Sequence, residues 1–370
     1  MNIIIVFTFD VSLESWEKDK ILNREVLLYK KLRENFDLNF TFLTFGNEKD
    51  DKYQYLFDGL QIIPIYKHAK KSRYKIINFF KSLAVCFRLR KKLLKNNLIK
   101  TNQLTGAIVG IFLKLVLKVP LIVRTGYNNY DFARYEKKSS KIIYFYYFLT
   151  QISLLVSDSY VVSSSIDKKS LENKFKTKGN IHIFPNWIEK INNSSKSIRY
   201  SNKILSIGRL EKQKDYSELI AKLVDSDIEL DIIGEGSLKK RLINLSHNLG
   251  VKLQILRKVD FDKLNLIYQK YPIFISSSIF EGNPKVVLEA MANGCMVIVK
   301  NNINNQEIIK NGFNGILYSE DEDLVKIINL YLNDKDKRSK LVENGYKYLS
   351  MNNKLENYCQ KEFDLYTKLI

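Results

Sequence analysis

Short apolar runs alternate with longer amphipathic stretches along the chain, and this alternation constrains the fold more than any other feature. The runs show little internal polar alternation, which is typical of strands buried on both faces of a parallel sheet. In the first half we predict strands at Asn2–Phe7, Leu38–Thr44, Gln61–Tyr66, Leu98–Thr101, Pro120–Arg124, Ser159–Ser163 and Ile181–Pro185. In the second half we predict strands at Lys203–Ile207, Glu229–Ile233, Lys252–Leu256, Pro272–Ser276, Met296–Val299 and Gly315–Tyr318.

Helices are predicted between most of these strands, notably at Lys20–Asn35, Lys75–Lys95 and Lys141–Val156. A chain of 370 residues is too long for one ordinary core and fits two domains of about 150–200 residues. Glu189–Ser201, rich in Asn, Ser and Lys, is typical of a linker. We therefore predict an α/β protein with two Rossmann-like, doubly wound domains, residues 1–190 and 191–350, facing an interdomain cleft that binds ligand. Residues 351–370 are predicted to form a helix that can cross back to the first domain.

Two apolar stretches fall short of a membrane span. Leu104–Val123 is interrupted by lysines and a proline, and Ile142–Val156 is shorter than the ~20 residues that a span requires. The cysteines and histidines are scattered, without metal-site spacing, which indicates reduced thiols and no bound metal. An apolar first strand, rather than a signal peptide, opens the chain, so we expect a cytoplasmic protein.

Basic residues are concentrated in the predicted first domain. The formal net charge is +20, and residues 59–130 contain 15 Lys and Arg but no Asp or Glu. Within Lys67–Lys100, apolar residues are interleaved with the basic ones, which fits adsorption to an anionic membrane surface. A solvated surface made basic by overall composition is the alternative. Nucleic acid is disfavoured, because no nucleic-acid-binding motif accompanies the charge.

Two carboxylates flank a strand-to-helix turn in the predicted second domain. Glu281 follows a buried strand, and Glu289 lies in a helix that Pro284 can open. A helix N-terminus attracts anions through its free amides and its dipole. Carboxylates beside such a terminus suit a ligand with both hydroxyls and phosphates, which describes a nucleotide sugar.

Two glycine-containing turns follow earlier strands of the same domain. Gly208 permits a tight turn or a close approach of phosphate, and Arg209 and Lys214 can supply a guanidinium and an ammonium to a diphosphate. An ordinary charged loop is the alternative reading of this turn. The second turn, Gly234-Glu235-Gly236, resembles a dinucleotide fingerprint, but Lys239 stands where the third glycine would be, so NAD is only weakly indicated.

Taken in order, these residues resemble the donor domain of the family 4 (GT4) retaining glycosyltransferases, glycosyl transferases group 1, which have the GT-B fold. The resemblance is carried by Gly208-Arg209-Leu210-x-x-Gln213-Lys214, Ile233-Gly234-Glu235-Gly236, the segment from Glu281 to Gly294, and Asn311-Gly312-Phe313-Asn314-Gly315. It implies that Arg209 and Lys214 bind the donor diphosphate and that Glu281 contacts the sugar, as the catalytic set. It implies that Glu289 holds the ribose, and that further donor contacts come from Gly208, Gly234, Gly282, Asn283, Pro284 and Lys285. It also implies retention of anomeric configuration and no cofactor, because cationic side chains and a helix end take the place of a metal.

The first domain departs from the family pattern. No glycine-rich loop follows its first strand, and Arg124-Thr125-Gly126-Tyr127 stands where relatives often carry a histidine. Residues at the predicted strand ends are acceptor-side candidates: Asn102, Gln103, Arg124 and Tyr127. Asp10 or Glu14 could orient the acceptor hydroxyl. Phe184-Pro185-Asn186-Trp187 resembles the family's interdomain Pro-Asn element and is predicted to shape the hinge.

These inferences favour a retaining transferase that moves a hexosyl unit from a UDP- or GDP-sugar to a glycan or lipid-linked oligosaccharide in cell-surface polysaccharide synthesis. The basic segment Lys67–Lys100 would hold it peripherally at the inner face of the plasma membrane. Two alternatives stay open. A nucleotide-sugar epimerase of the same architecture should lack the Arg209, Lys214, Glu281 and Glu289 set. A catalytically silent scaffold would bind membrane or nucleic acid through Lys67–Lys100.

Overall fold

The computed structural model describes residues 1–192 and 199–370, apart from the side chain of Asp262. The described chain forms two compact units: Met1–Phe184 together with Tyr358–Ile370, and Pro185–Asn357. Residues 193–198 of the predicted linker lie outside the described residues. None of the helices in the described ranges is both long enough and apolar enough to cross a bilayer.

The first unit is a parallel sheet with helices between its strands. Its strands are β1 (Asn2–Val6), β2 (Asn39–Thr44), β3 (Leu60–Pro64), β4 (Leu98–Thr101), β5 (Leu121–Arg124), β6 (Ser159–Val162) and β7 (Ile181–Ile183). Its helices are α1 (Leu13–Lys18), α2 (Leu22–Phe36), α3 (Ile65–His68), α4 (Lys75–Arg88), α5 (Arg90–Leu93), α6 (Ala107–Leu117), α7 (Asn129–Tyr135), α8 (Ser140–Val156) and α9 (Ser165–Lys174). Short 3₁₀ helices occur at Glu48–Leu56 and Leu104–Gly106.

The strand order β3-β2-β1-β4-β5-β6-β7 is that of a doubly wound sheet. In the centre, Ile5 of β1 pairs with Phe42 of β2 on one side and with Lys100 of β4 on the other, both in parallel register. β1 is buried throughout its apolar run because the sheet is covered on both faces. The strand order reverses between β1 and β4, so the carboxyl ends of these strands form the switch point at which such folds bind ligands.

The second unit has the same architecture. Its strands are β8 (Lys203–Ile207), β9 (Glu229–Ile233), β10 (Leu253–Leu256), β11 (Ile273–Ser276), β12 (Met296–Lys300) and β13 (Ile316–Tyr318). Its helices are α10 (Tyr216–Ala221), α11 (Lys239–Asn248), α12 (Phe261–Tyr268), α13 (Lys285–Ala292), α14 (Ile303–Ile308), α15 (Leu324–Asn333) and α16 (Lys335–Asn352), with a 3₁₀ helix at Lys212–Lys214. The last helix of the chain, α17 (Leu355–Leu369), begins in this unit and continues into the first.

The strand order of the second sheet is β10-β9-β8-β11-β12-β13, with the switch point between β8 and β11. Successive residues of one strand enter different cores: Ile204 of β8 packs into one apolar cluster and Leu205 into another. This two-sided burial explains why the strands lack polar alternation in the sequence.

A buried ion pair joins α17 to the first sheet. Lys100 Nζ on β4 donates to the two carboxylate oxygens of Glu362 at 2.5 and 2.6 Å and to the Tyr366 hydroxyl at 3.1 Å. The side chains of Lys100 and Glu362 are each 1% exposed. The prediction that Lys100 belongs to a basic surface is therefore wrong, because a carboxylate distant in sequence neutralises it inside the unit.

The α/β, doubly wound fold class predicted from the sequence is confirmed. Every predicted strand is present, with ends that differ by no more than two residues. The predicted helix Lys75–Lys95 is divided at Leu89 into α4 and α5.

Candidate active site

Close backbone packing fixes the loop that follows β8. The Gly208 N–H donates to the Ile233 carbonyl oxygen at 3.1 Å, and the Leu210 N–H donates to the Glu235 carbonyl oxygen at 2.9 Å. A Cβ atom on Gly234 would lie well inside 3.0 Å of the Gly208 carbonyl oxygen. A side chain at residue 234 would therefore push apart the turn after β8 and the turn after β9. Gly234 serves this packing, which in turn positions the loop from Arg209 to Lys214.

The loop after β8 meets the loop after β11 through side chains. Lys214 Nζ forms an ion pair with Glu281 Oε1, and the two side chains are only 12% and 15% exposed. Gln213 Nε2 donates to the Phe280 carbonyl oxygen at 2.7 Å, and Gln213 Oε1 accepts from Arg209 Nη2 at 3.0 Å. The structure thus brings the three predicted catalytic residues, Arg209, Lys214 and Glu281, into one cluster.

This cluster combines two cations on one loop with a carboxylate on another. A diphosphate bound here could accept hydrogen bonds from the Arg209 guanidinium and the Lys214 ammonium. In a partly buried site, fixed cations stabilise charge that develops on a leaving group more than they would in water. Among the residues that the structure describes, no three His, Cys, Asp or Glu side chains are grouped so as to hold a metal ion.

The turn before α13 is held by Asn186. The Asn186 N–H donates to Asn283 Oδ1 at 3.0 Å, and Asn186 Nδ2 donates to the Asn283 carbonyl oxygen at 2.5 Å. Asn353 Nδ2 in turn donates to the Asn186 carbonyl oxygen at 2.7 Å. The ammonium of Lys285, at the start of α13, lies 3.7 Å from the centroid of the Trp187 ring. The Pro-Asn element therefore fixes the loop before α13, which is predicted to bind the donor.

Glu289, near the middle of α13, lines a small cleft within the second unit. It is buried, and its Oε2 accepts from the Tyr268 hydroxyl at 3.4 Å. Trp187, Lys285 and Asn293 line the same cleft. A buried carboxylate at such a cleft suits a ligand that presents hydroxyl groups, such as a ribose.

A charge cluster beside Lys214 was missed in the sequence. Lys300 Nζ, at the carboxyl end of β12, lies 3.4 Å from carboxylate oxygens of both Asp215 and Glu218 and 3.0 Å from Glu320. Burial raises the pKa of Glu218. Asp215 directly follows Lys214 and adopts a left-handed φ of +47°, so the cluster fixes the chain next to the lysine. The one feature of the sequence that could have indicated this cluster is the position of Lys300 at the carboxyl end of a predicted strand, where such folds place ligand-binding groups.

Four acceptor-side candidates lie at the carboxyl ends of β4 and β5: Asn102, Gln103, Arg124 and Tyr127. Gln103 Oε1 accepts from the backbone N–H of Gly126 at 3.0 Å, and Arg124 Nη1 donates to the Asn102 carbonyl oxygen at 3.4 Å. Arg124 Nε also donates to the Tyr358 hydroxyl on α17 at 3.3 Å. The structure therefore brings Asn102, Gln103 and Arg124 together, and it also gives Arg124 a contact with the last helix.

Asp10 and Glu14 have different surroundings. Asp10 follows β1 with a left-handed φ of +68°, and its carboxylate forms an ion pair with Lys71. Glu14 lies in the first turn of α1, with its carboxylate 3.2 Å from Lys18 Nζ and 3.7 Å from Lys49 Nζ. The hydrogen bond from Lys18 lowers the pKa of Glu14. Asp10 is therefore the better placed of the two, because it stands beside the switch point of the sheet.

The sequence of this chain is similar to that of known glycosyltransferases. Residues 188–348 match the family model described as Glycosyl transferases group 1. An uncharacterized glycosyltransferase of Methanocaldococcus jannaschii is 27% identical over 333 residues, 87% of each chain. The UDP-Gal:alpha-D-GlcNAc-diphosphoundecaprenol alpha-1,3-galactosyltransferase of Escherichia coli is 25% identical over 313 residues, 76% of this chain and 79% of the relative.

Solved structures share the fold over the whole chain. Sucrose-phosphate synthase from Thermosynechococcus elongatus superposes with a TM-score of 0.81 at 16% identity, covering 100% of this chain and 99% of that one. Anabaena HepE, solved in complex with UDP and glucose, superposes with a TM-score of 0.74 at 16% identity, covering 100% of both chains. The GT-B fold class predicted from the motifs is confirmed.

Proposed function

Because the chain belongs to the group 1 glycosyltransferases, we propose that it transfers a hexosyl unit from a nucleotide diphosphate sugar to a glycan or lipid-linked acceptor, with retention of anomeric configuration. The E. coli relative is named for transfer from UDP-Gal to a diphosphoundecaprenol-linked sugar. The structural neighbour HepE was solved with UDP and glucose. These names support a UDP-sugar donor and a lipid-linked acceptor. A GDP-sugar is the alternative donor, and the proposed pathway is cell-surface polysaccharide synthesis.

The observation that carries the proposal is the cluster of Arg209, Lys214 and Glu281 at the switch point of the second unit. In the proposed reaction the bond between the anomeric carbon and the diphosphate oxygen breaks, while the acceptor oxygen bonds to that carbon from the same face. The acceptor proton passes to the departing diphosphate. Arg209 and Lys214 stabilise the negative charge on that diphosphate. Glu281 holds sugar hydroxyls and is not assigned as a covalent nucleophile.

Donor binding is proposed to extend from this cluster along α13. The backbone amides of Gly282, Asn283 and Lys285 lie at the start of the helix, where they favour anionic or hydroxyl groups of the donor. Glu289 would then hold the ribose in the adjoining cleft. We expect no metal to be required, so transfer should persist in EDTA.

We also propose that the enzyme lies peripherally at the inner face of the plasma membrane through the basic segment Lys67–Lys100, in which the buried Lys100 takes no part. Part of this segment is neutralised within the unit, since Lys67 pairs with Asp51 and Lys71 with Asp10. Arg88, Lys91, Lys92 and Lys95 are exposed instead. These exposed cations are the ones that anionic headgroups can reach.

The test compares Lys214→Ala and Glu281→Ala with Lys212→Ala, which changes an exposed lysine on the same loop. A thermal-shift screen of UDP-, GDP- and TDP-sugars first identifies the donor, because a ligand of the folded state raises its apparent stability. Loss of one group that stabilises the leaving diphosphate should lower transfer ~10²–10³-fold, with folding and membrane binding unchanged. Lys212→Ala should behave as wild type. Undiminished transfer in both site variants would overturn the assignment.

Two observations disfavour the alternative functions. A nucleotide-sugar epimerase of the same architecture should lack the predicted donor set, whereas Arg209, Lys214 and Glu281 form one cluster in this chain. A catalytically silent scaffold would have no reason to keep Lys214 and Glu281 paired and largely buried.

A further inference from the structure

Three helices form one outer layer of the first unit. α4, α6 and α8 connect strands that progress in the same direction along the sheet, so right-handed crossovers place all three on one face. α6 packs against both α4 and α8. The connection through α2 runs the other way, and α2 meets α17 on the opposite face, where the rings of Phe36 and Phe363 stack. The outer sides of α4, α6 and α8 are therefore adjacent.

The outer side of this layer exposes large apolar side chains. Large exposed side chains occur on each of the three helices, and we call them together the aromatic face: Phe80, Phe87, Leu115, Tyr144, Phe145 and Phe148. Tyr144 is 63% exposed and Phe148 is 59% exposed. α8 carries a single charged residue, Lys141, among its 17 residues. Scattered apolar residues are ordinary on protein surfaces, but a contiguous patch marks an interaction surface.

Cations border the aromatic face. Arg88, at the end of α4, is exposed, and so are Lys91, Lys92 and Lys95 just beyond it. Lys141 is exposed at the start of α8. Residues 59–130 contain no Asp or Glu to offset these charges. Two copies of this chain packed face to face would bring like charges together, whereas an anionic bilayer matches both the charge and the apolar area.

We propose that the aromatic face inserts into the headgroup and upper acyl region of an anionic bilayer, with α8 as its main apolar anchor. The proposal deepens the proposed function and rests on it, since a lipid-linked acceptor must reach the site from the membrane. Phe79 of α4 lies against Phe9, with ring centroids 6.5 Å apart, and Phe9 directly precedes Asp10. A bilayer on this face therefore brings its headgroups close to the acceptor end of β1.

The test measures co-sedimentation of the full chain with vesicles of phosphatidylcholine containing phosphatidylglycerol, and with pure phosphatidylcholine vesicles. Phe145→Ser/Phe148→Ser removes apolar anchors without changing charge, and the partition constant should fall about tenfold or more. Lys91→Ser/Lys92→Ser/Lys95→Ser should lower binding chiefly at low salt and on anionic vesicles. Leu266→Ser, at a site 64% exposed on α12 of the second unit, is the matched control and should bind as wild type.

A second readout places a probe in the proposed anchor. Both native tryptophans, Trp16 and Trp187, are buried, so the added indole of Phe148→Trp reports its own surroundings. Its emission should shift to the blue on anionic vesicles, whereas that of Leu266→Trp should not. Each of three outcomes would overturn the proposal. They are unchanged emission of Phe148→Trp on anionic vesicles, equal partition constants for Phe145→Ser/Phe148→Ser and wild type, and a dimer that buries the aromatic face. Donor binding, measured without vesicles, should be the same in all these variants, so its failure would count against the proposed function instead.

Discussion

Replacing Gly234 by alanine tests how the donor loops are held together. The new Cβ would lie well inside 3.0 Å of the Gly208 carbonyl oxygen, which is a backbone atom and cannot rotate away. The two turns must separate, and the hydrogen bonds from Gly208 to Ile233 and from Leu210 to Glu235 would be lost or weakened. Two such bonds at about 1 kcal/mol each, with some overpacking strain, lower the free energy of unfolding by roughly 2–4 kcal/mol.

For a unit of this size the melting temperature should fall by roughly 4–16 °C. Gly208→Ala should behave differently, because its Cβ would meet the flexible end of Lys214, at 2.8 Å from Cε, and the Tyr216 hydroxyl at 2.9 Å. The Lys214 side chain can move aside, whereas the buried Tyr216 ring can shift only slightly. We therefore expect a stability loss of about 1–2 kcal/mol, smaller than for Gly234→Ala, and weaker donor binding because Lys214 is displaced.

The assay combines thermal unfolding with titration of the nucleotide donor, and Gly250→Ala is the control. Residue 250 has a left-handed φ of +66° but no atom within 4 Å of the added Cβ, so only the backbone preference of about 1 kcal/mol is lost. Gly234→Ala melting with the wild type, or Gly208→Ala losing as much stability as Gly234→Ala, would refute the reasoning.

Three further predictions concern an ion pair, a loop contact and two thiols. Lys100→Met leaves the buried Glu362 carboxylate without its cation and should lower the free energy of unfolding, measured in urea, by about 3–5 kcal/mol. The double variant Lys100→Met/Glu362→Leu should recover most of that stability. A double variant no more stable than Lys100→Met would contradict this. Asn186→Ala removes the hydrogen bond from Asn186 Nδ2 to the Asn283 carbonyl oxygen, in the loop before α13. The binding free energy of the nucleotide sugar should weaken by about 1 kcal/mol, which is a several-fold loss of affinity, with little change in melting temperature. Equal affinity of the variant and wild type in a titration would count against that role. Burial raises the pKa of the Cys86 and Cys295 thiols to about 12, so both stay protonated at pH 8 and should react with a disulfide reagent only after unfolding; a rapid reaction of either thiol in the native protein would show that it is not buried.

The sequence predicted the elements well because local physics determines them. The predicted bounds of Lys203–Ile207 and Glu229–Ile233 match the structure, because two-sided burial leaves mainly apolar runs that only Ser206 and Asp231 interrupt internally. α13 begins directly after Pro284, as a proline at a helix start indicates.

Contacts between distant segments could not be predicted in this way. The pairing of Lys214 with Glu281 depends on the adjacency of β8 and β11 in the sheet, which no periodicity encodes. The same limit applies to Lys100, which is one more cation in a basic window by sequence and a neutralised core residue in the fold. In the sequence, Gly234 resembles part of a weak nucleotide fingerprint. Its packing against the Gly208 carbonyl oxygen is not visible there, because Gly208 lies on a different loop.

The ion pair between Lys100 and Glu362 also bears on the order in which the chain can fold during synthesis. The first sheet is complete at Ile183, but the carboxylate partner of Lys100, Glu362, lies far downstream in the sequence. At roughly 5–20 residues per second, a ribosome needs about ten seconds or more to reach Glu362 after the sheet has emerged. During that interval the Lys100 ammonium has no carboxylate to pair with, and the groove for α17 stays open. Emergence of α17, rather than emergence of the sheet, therefore sets the moment at which the first unit becomes fully stable.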